Sequence, residues 1–218
     1  GLVMNTASER MKGIEEAARF LRYQAFEQMA KEQNAKFFCL AHNRNDQLET
    51  LLMRFLQGSD NSSGSGIPVC RGIFFRPMLD ISRQEIEEYL SQKQISYRID
   101  STNKDETYLR NKIRNKIIPI IDQAVPGWDN AVLSSVEKKI EDNIVLDNLI
   151  KKITWDVGVN QNGNPLVSIN AKKFFKLLPA LRRRFIYKGL SILSVPNRVP
   201  YKVIRKVIYS LSDFNNEI

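Results

Sequence analysis

Between residues 14 and 32, apolar side chains fall at Ile14, Ala17, Ala18, Leu21, Ala25 and Met29. That spacing puts them on one helical face and predicts an amphipathic helix. The run Lys36-Phe-Phe-Cys-Leu-Ala41 has no breaker and no alternation. It has the pattern of a short strand buried on both faces, as in a parallel sheet. Polar residues His42 to Asn45 follow. Asp46 is expected to open a second helix whose buried face is Leu48, Leu51, Leu52, Phe55 and Leu56. Helix, buried strand, polar turn and helix in succession is the order of an α/β fold.

Residues 58–66, Gly-Ser-Asp-Asn-Ser-Ser-Gly-Ser-Gly, contain no apolar side chain and read as a flexible loop. A short strand is predicted at Gly72 to Phe75. Ser82, with Glu85 three positions on, has the spacing of a capping box and starts a helix to about Lys93. Tyr97 to Ile99 is a further candidate strand, and Thr107 to Ile121 a helix that Pro119 ends or kinks. Residues 129–153 have the spacing of a long amphipathic helix. Trp155 to Val159 and Pro165 to Ile169 bracket Gln-Asn-Gly-Asn, a hairpin signal. Helices over about 170–192 and 198–211, with Pro196 between them, close the sequence. Pro126-Gly127 is the expected boundary between two domains, 1–126 and 127–218, the second smaller and mainly helical. There is no internal repeat.

The 218 residues suffice for one large domain or two modest ones. With 43% apolar and 26% charged residues, a disordered chain is excluded. No run approaches ~18 apolar residues, so no membrane span is expected. No apolar segment sits behind a basic start, so a cytoplasmic protein without a signal peptide is expected. Cys39 and Cys70 lie in no CxxC pair and read as buried, reduced thiols. Two cysteines and one histidine exclude a Cys/His metal centre. The charge adds a direction: residues 1–100 carry 13 basic and 13 acidic side chains, residues 101–218 carry 20 and 11, so the whole net charge of +9 lies in the second part. Such asymmetry points to a polyanion partner, and clustered Lys and Arg favour nucleic acid.

Ala41 to Thr50 lies where an open α/β sheet places its ligands, beyond the carboxyl end of a strand and at a helix start. Asp46 and Glu49 are one helical turn apart, so both carboxylates can face one crevice and take a ligand ammonium or a metal-bound nucleotide. The same spacing fits a helix cap and its capping-box partner, and residue type alone leaves both open. His42, the only histidine, is open in the same way between a structural and a catalytic imidazole. Arg110 and Arg114 share a helix face, with Lys112 and Lys116 on the adjacent stripe. Arg182, Arg183 and Arg184 form a second basic run, and Tyr201-Lys-Val-Ile-Arg-Lys206 a third. Each alone is an ordinary solvated helix face. Three in one half, near aromatic residues, fit an RNA backbone platform.

Several of these segments occur in an order that resembles the tRNA(Ile)-lysidine synthetases, members of the PP-loop, or N-type ATP pyrophosphatase, superfamily. Glu16-Ala-Ala-Arg-Phe-Leu-Arg-Tyr23 is similar to that family's E-A-A-R-x-x-R-Y helix. Ala41-His42 followed by Asp46-Gln-Leu-Glu-Thr50 is similar to A-H-H-x-D-D-Q-x-E-T, and Gln57-Gly-Ser59 to the R-G-S/T after it. Arg76-Pro-Met-Leu79 resembles R-P-L-L, and Ser82-Arg83 its S-R. Asp100-Ser-Thr-Asn103 and Arg110-Asn-Lys-Ile-Arg114 resemble D-x-S/T-N and R-N-x-I-R. Leu178-Pro-Ala-Leu-Arg-Arg-Arg184 resembles the start of the family's small helical second domain. The resemblance runs from about residue 13 to 207. Asn45 stands where the family usually has the first of two acids, and the metal ligands are therefore left unassigned. The superfamily's Ser-Gly-Gly-x-Asp-Ser phosphate loop is not in this sequence; the strand that carries it and a C-terminal domain are expected to lie outside it.

The resemblance implies an α/β, parallel-sheet PP-loop domain (of the adenine nucleotide alpha hydrolase type), incomplete at its N-terminus and followed by the smaller helical domain. It implies an enzyme that uses ATP and Mg2+ to adenylate C2 of the wobble cytidine in an isoleucine tRNA with a CAU anticodon. The ε-amine of free L-lysine then displaces AMP to give lysidine. Asp46 and Glu49 would hold lysine's α-ammonium. His42 and Arg22 would sit by the transferred group, and Arg76, Arg83, Arg110, Arg114 and Arg182 to Arg184 would contact nucleotide or tRNA phosphates. A tRNA-thiolating or amidotransferase branch of the superfamily is one alternative, against which the unpaired Cys39 and Cys70 speak. A tRNA-binding module without catalysis is the other, motivated by Asn45.

Overall fold

The computed structural model describes residues 14–58, 65–98, 108–195 and 199–209. The chain forms two compact units, 1–140 and 141–218. In the first, helix α1 (Ile14–Glu32) leads to strand β1 (Phe38–Cys39), helix α2 (Arg44–Leu56), strands β2 (Cys70–Arg71) and β3 (Phe74–Phe75) and helix α3 (Arg83–Gln92). β1 runs parallel to β3 with Phe38 opposite Phe74, and β2 runs antiparallel on β3's other side, giving the order β1-β3-β2. The turn between β2 and β3 needs a left-handed residue, and Gly72 supplies it at φ 59°.

α1 covers one face of this sheet. Phe26 stacks on Phe38 at 4.6 Å, and Tyr23 meets Phe74 edge-on at 4.8 Å. Leu40 and Phe74 are buried there. Because side chains alternate along a strand, Phe37 and Cys39 point to the opposite face, where Phe37 is 68% exposed. Cys39 and Cys70 both register with Phe75, and both are exposed free thiols. The expectation of a strand buried on both faces, with buried cysteines, is corrected accordingly: the strand forms at its predicted place, but α1 protects one face of it.

α2 begins two residues before Asp46. Asn43 is its N-cap, in extended conformation, and accepts from the Asp46 N–H at 3.1 Å while the Asp46 carboxylate accepts from the Asn43 N–H at 3.0 Å. Asp46 is thus the third helical residue of a capping box rather than the cap. The box at Ser82 and Glu85 forms as predicted at the start of α3. Residues 97 and 98 form no strand, and Ile99 together with 100–107 lies outside the described residues, as does the Asp100 to Asn103 motif. So do 59–64 of the polar loop.

The helix expected over 107–121 runs from α4 (Leu109–Lys112) through a π-helical segment, Ile113–Ile117, into α5 (Ile118–Ala124). Pro119 does not end it. It sits in the first turn of α5, where a missing N–H costs little. Helix α6 (Trp128–Lys151) follows the turn at Gly127 (φ 80°). The two compact units divide within α6, whereas the sequence boundary at Pro126-Gly127 falls in the turn before it.

The second unit holds hairpin β4 (Asp156–Val159) and β5 (Pro165–Ser168), then α7 (Ala171–Phe175), α8 (Pro179–Ile192) and α9 (Tyr201–Tyr209). Its core is Ile150, Phe174, Phe185, Ile186, Ile204 and Ile208. Trp155 stacks on Phe185 at 4.3 Å and donates to the Phe185 carbonyl at 3.0 Å. The single helix expected over 170–192 is two helices. Leu178, ahead of Pro179, is extended (ψ 148°), since a residue before proline avoids the helical region.

Candidate functional site

The predicted acidic pair and the predicted arginine pair meet. Glu49, 1% exposed, accepts from Arg110 Nε at 2.7 Å, from Arg114 Nε at 2.5 Å and from Arg114 Nη2 at 3.0 Å. Asp46 accepts from Arg110 Nη2 at 2.7 Å and lies 3.7 Å from Arg114 Nη2. Local sequence explains each half. The capping box fixes Asp46 at the third position of α2 and brings Glu49 one turn further along. On the other side, Arg110 in α4 and Arg114 in the π segment both turn toward α2, anchored by Ile113, which is fully buried. π-helical turns are rare and recur at functional sites. Two carboxylates and two guanidiniums sum to no net charge. Glu49 hydrogen-bonds and ion-pairs with Arg114, which raises the arginine's pKa further and fixes its charge.

His42 sits at the end of the β1 segment, with its Nδ1 buried and without a protein partner. Burial lowers its pKa most; Arg76, Arg19 and Arg110 lower it further, and Asp46 alone opposes them. The imidazole is therefore neutral at pH 7. Asn45 Oδ1 accepts from the Arg83 N–H at 2.8 Å, so this amide joins α2 to the start of α3. Arg83 itself ion-pairs with Glu87 at 2.7 Å on the surface. Arg22 is exposed on α1 and contributes no contact to the cluster.

Three of the predicted anion contacts, Arg76, Arg182 and Arg184, turn inward instead. Arg76 is 2% exposed and donates to the Pro68 carbonyl at 2.8 Å and to the Tyr23 hydroxyl at 3.2 Å, which staples the loop before β2 to α1. The 182–184 run, expected on the RNA surface, is largely internal to the second unit. Arg182 donates to the carbonyls of Leu177, Ile208 and Phe175 at 2.8, 2.9 and 2.5 Å. It thereby satisfies carbonyls that helix ends leave without partners. Arg184, 8% exposed, pairs with Asp147 at 2.8 Å and with Asn143. Arg183, between them, is partly buried.

Sequence reasoning missed Arg44, which donates to Asp129 at 2.6 Å and Asn130 at 2.7 Å and ties α2 to the start of α6. A pairing across 85 positions leaves no local signal. It also missed Gln47, whose amide accepts from the Ile67 N–H at 2.5 Å and donates to the Ile67 carbonyl at 3.2 Å. Gly66 (φ 71°) permits that approach, since a Cβ there would lie 2.6 Å from the Gln47 oxygen.

Among the described residues no group of three or more His, Cys, Asp or Glu side chains could hold a metal ion. With both carboxylates neutralised by guanidinium groups, the cluster does not fit a divalent cation. A cleft of about 1040 Å³ lies elsewhere in the first unit, lined by Tyr23, Glu27, Lys31, Arg71 and Phe74 among others. No described helix is long and apolar enough to cross a membrane.

A neutral imidazole after β1, a capped helix bearing two acids and a pair of arginines converging on them form one charged cluster in the first unit. The PP-loop domain family matches residues 3–121, and the chain belongs to that family. It is 40% identical over 213 residues to a tRNA(Ile)-lysidine synthase of Treponema denticola, covering 97% of this chain and 45% of that protein. A tRNA(Ile)-lysidine synthase of Borrelia garinii subsp. bavariensis is 37% identical over 195 residues, 88% of this chain and 42% of its own. One from Thermosipho africanus is 42% identical over 144 residues, 66% and 34% respectively. The chain thus spans less than half the length of the curated relatives it matches.

Proposed function

We propose that the protein to which this chain belongs ligates L-lysine to C2 of the wobble cytidine of an isoleucine tRNA with a CAU anticodon, at the expense of ATP, in the cytoplasm. A parallel-sheet PP-loop domain over 1–126 would carry the chemistry, and the smaller helical domain over 127–218 would bind tRNA. ATP enters as its magnesium complex, with the metal held on the nucleotide rather than by the acid–arginine cluster. The observation that carries this reading is the convergence of Asp46, Glu49, Arg110 and Arg114, segments about sixty positions apart, beside His42. The similarity to proteins named for lysidine synthesis supports it.

The chemistry has two steps. Attack of the cytidine O2 on the α-phosphate of ATP releases pyrophosphate and leaves an adenylated base. The lysine ε-amine then forms the N–C2 bond as the C2–O bond to AMP breaks, and His42, held neutral, takes the proton that the amine loses. Asp46 is the accessible corner of the cluster, with 19% of its side chain exposed against 1% for Glu49. Lysine's α-ammonium therefore meets Asp46, while Glu49 keeps the arginines in place. Arg110 and Arg114 face the anionic groups, and the exposed Arg22, outside the cluster, is left for a phosphate that approaches from α1. The test supplies the intact protein with ATP, magnesium, labelled lysine and an unmodified isoleucine tRNA transcript. Label in the tRNA and equimolar AMP are expected. ATP cleavage without labelled tRNA, or labelling that survives replacement of the wobble cytidine, refutes the reading.

A further inference from the structure

Among the described residues nothing covers the outer half of hairpin β4–β5, where residues 157–166 are all exposed. Its root is rigid: Trp155 is stacked and hydrogen-bonded to Phe185, and Ile169 packs on the same core. Beyond the root the register Val157 to Val167 and Val159 to Pro165 puts these four on one face. Val157 and Val159 on that face are 67% and 69% exposed. A two-stranded hairpin with so little burial is marginal by itself, and this one is held at its tip by Asn160. Its side chain accepts from the N–H groups of Asn162 and Asn164 at 3.0 and 2.9 Å, and Gly163 takes the left-handed position at φ 76°. The tip is thus ordered, while the side chains of Gln161, Asn162 and Asn164 are exposed, and among the described residues no hydrogen bond engages their amides.

The sequence that carries the hairpin and the helices after it is predominantly basic. From residue 148 to 209 the sequence has thirteen Lys or Arg and a single acid, Asp156. Lys151 and Lys152 lead into the hairpin and Lys172 and Lys173 lead out of it, all four exposed. Arg182 and Arg184 use their donors internally, so these flanking lysines, rather than the denser arginine run, are available to a polyanion. Amide side chains carry a donor and an acceptor together, which is what base edges require. Sequence-specific RNA recognition works on unpaired bases splayed from a loop.

We infer that the β4–β5 hairpin is an RNA-reading element: Lys151, Lys152, Lys172 and Lys173 hold the backbone of a single-stranded RNA loop, and Gln161, Asn162 and Asn164 read the edges of its bases. This rests on the proposed tRNA substrate and adds the element that discriminates among RNAs. The test uses the intact protein with two tRNAs of different loop sequence, one of them isoleucine tRNA, in binding titrations across salt. The tip variant (Gln161→Ala, Asn162→Ala, Asn164→Ala) keeps Asn160 and Gly163, so the turn is retained; a thermal melt checks the fold. It is expected to lose about fivefold or more of the preference between the tRNAs, with an unchanged salt slope. The root variant (all four lysines to Glu) is expected to weaken both tRNAs together. It should also flatten the slope of log affinity against log salt by about 0.7 per lost contact. A tip variant with the parent's affinities and preference, or a root variant with the parent's slope, overturns the inference. So does unchanged RNA binding with an altered sedimentation coefficient, which would make the hairpin a protein contact. A parent that binds RNA and responds to these variants but adds no lysine to isoleucine tRNA would refute the proposed function alone.

Discussion

Replacing Glu49 by Gln tests whether this carboxylate organises the site. Glu49 is 1% exposed and accepts three hydrogen bonds from two guanidinium groups. Glutamine keeps one acceptor oxygen and turns the other position into a donor that faces an arginine N–H. Removing one partner from a fully buried ion pair costs about 3–5 kcal/mol. Here the Arg110 and Arg114 side chains are 31% and 28% exposed, so water compensates part of the lost charge. The expected loss is therefore at or just below the lower end of that range, about 2–3 kcal/mol. Urea denaturation of the intact protein measures it, as a lower midpoint at unchanged slope. A double-mutant cycle with Arg114→Gln isolates the pair, and about 1–2 kcal/mol of coupling is expected. The same variant separates two roles for Glu49. As the anchor of the arginines, its loss lowers stability and turnover together. As the direct lysine ligand, its loss raises the lysine KM at unchanged stability. A stability change below about 0.5 kcal/mol, within the range of a surface substitution, would refute the buried-anchor reasoning.

Three further outcomes are expected. His42 has a lowered pKa in the fold, chiefly through burial, so the unfolded chain binds its proton first as pH falls; its contribution to stability is complete above the ordinary value of 6.5 and is lost below it, and His42→Asn should flatten the stability profile between about pH 7 and 5. Gly189→Ala would set a Cβ 2.8 Å from the Trp155 ring; a cost of about 1–3 kcal/mol is expected, with a loss of near-ultraviolet circular dichroism from Trp155, and a neutral result would mean that the ring yields. Arg182→Ala removes donors from three carbonyls, and a loss of about 2–3 kcal/mol is expected in thermal denaturation. Lys202→Ala, on the exposed face of α9, should stay within about 0.5 kcal/mol. Equal effects of the two would return Arg182 to the surface.

Amino-acid order by itself determined the local elements. The apolar spacing of α1, the Ser82–Glu85 box and the polar turn of the β4–β5 hairpin each depend on residues a few positions apart, and each formed where the pattern put it; α2 formed two residues early, and Phe55 and Leu56, expected on its buried face, are 81% and 57% exposed. The acidic pair was legible for the same reason: i and i+3 on a capped helix meet whatever surrounds them. Backbone chemistry at single positions corrected the rest of the local reading. Pro179 divided one expected helix into two, Pro119 did not end another, and Asn43 took the cap position that the spacing had left open to Asp46. What the tertiary structure alone decided is which charge answers which. Arg110 and Arg114 were legible as a basic helix face, and nothing within a turn of them names Glu49 as their partner. Arg182 and Arg184 carry the same charge as Lys202 and Lys206, yet the first two are spent on carbonyls, an acid and an amide inside the second unit. A long cationic side chain can end in solvent or on a buried acceptor at similar free energy, because the hydration it loses and the hydrogen bonds and ion pairs it gains nearly cancel. The balance is set by the acceptors that the fold brings within reach, and those come from distant positions in the chain.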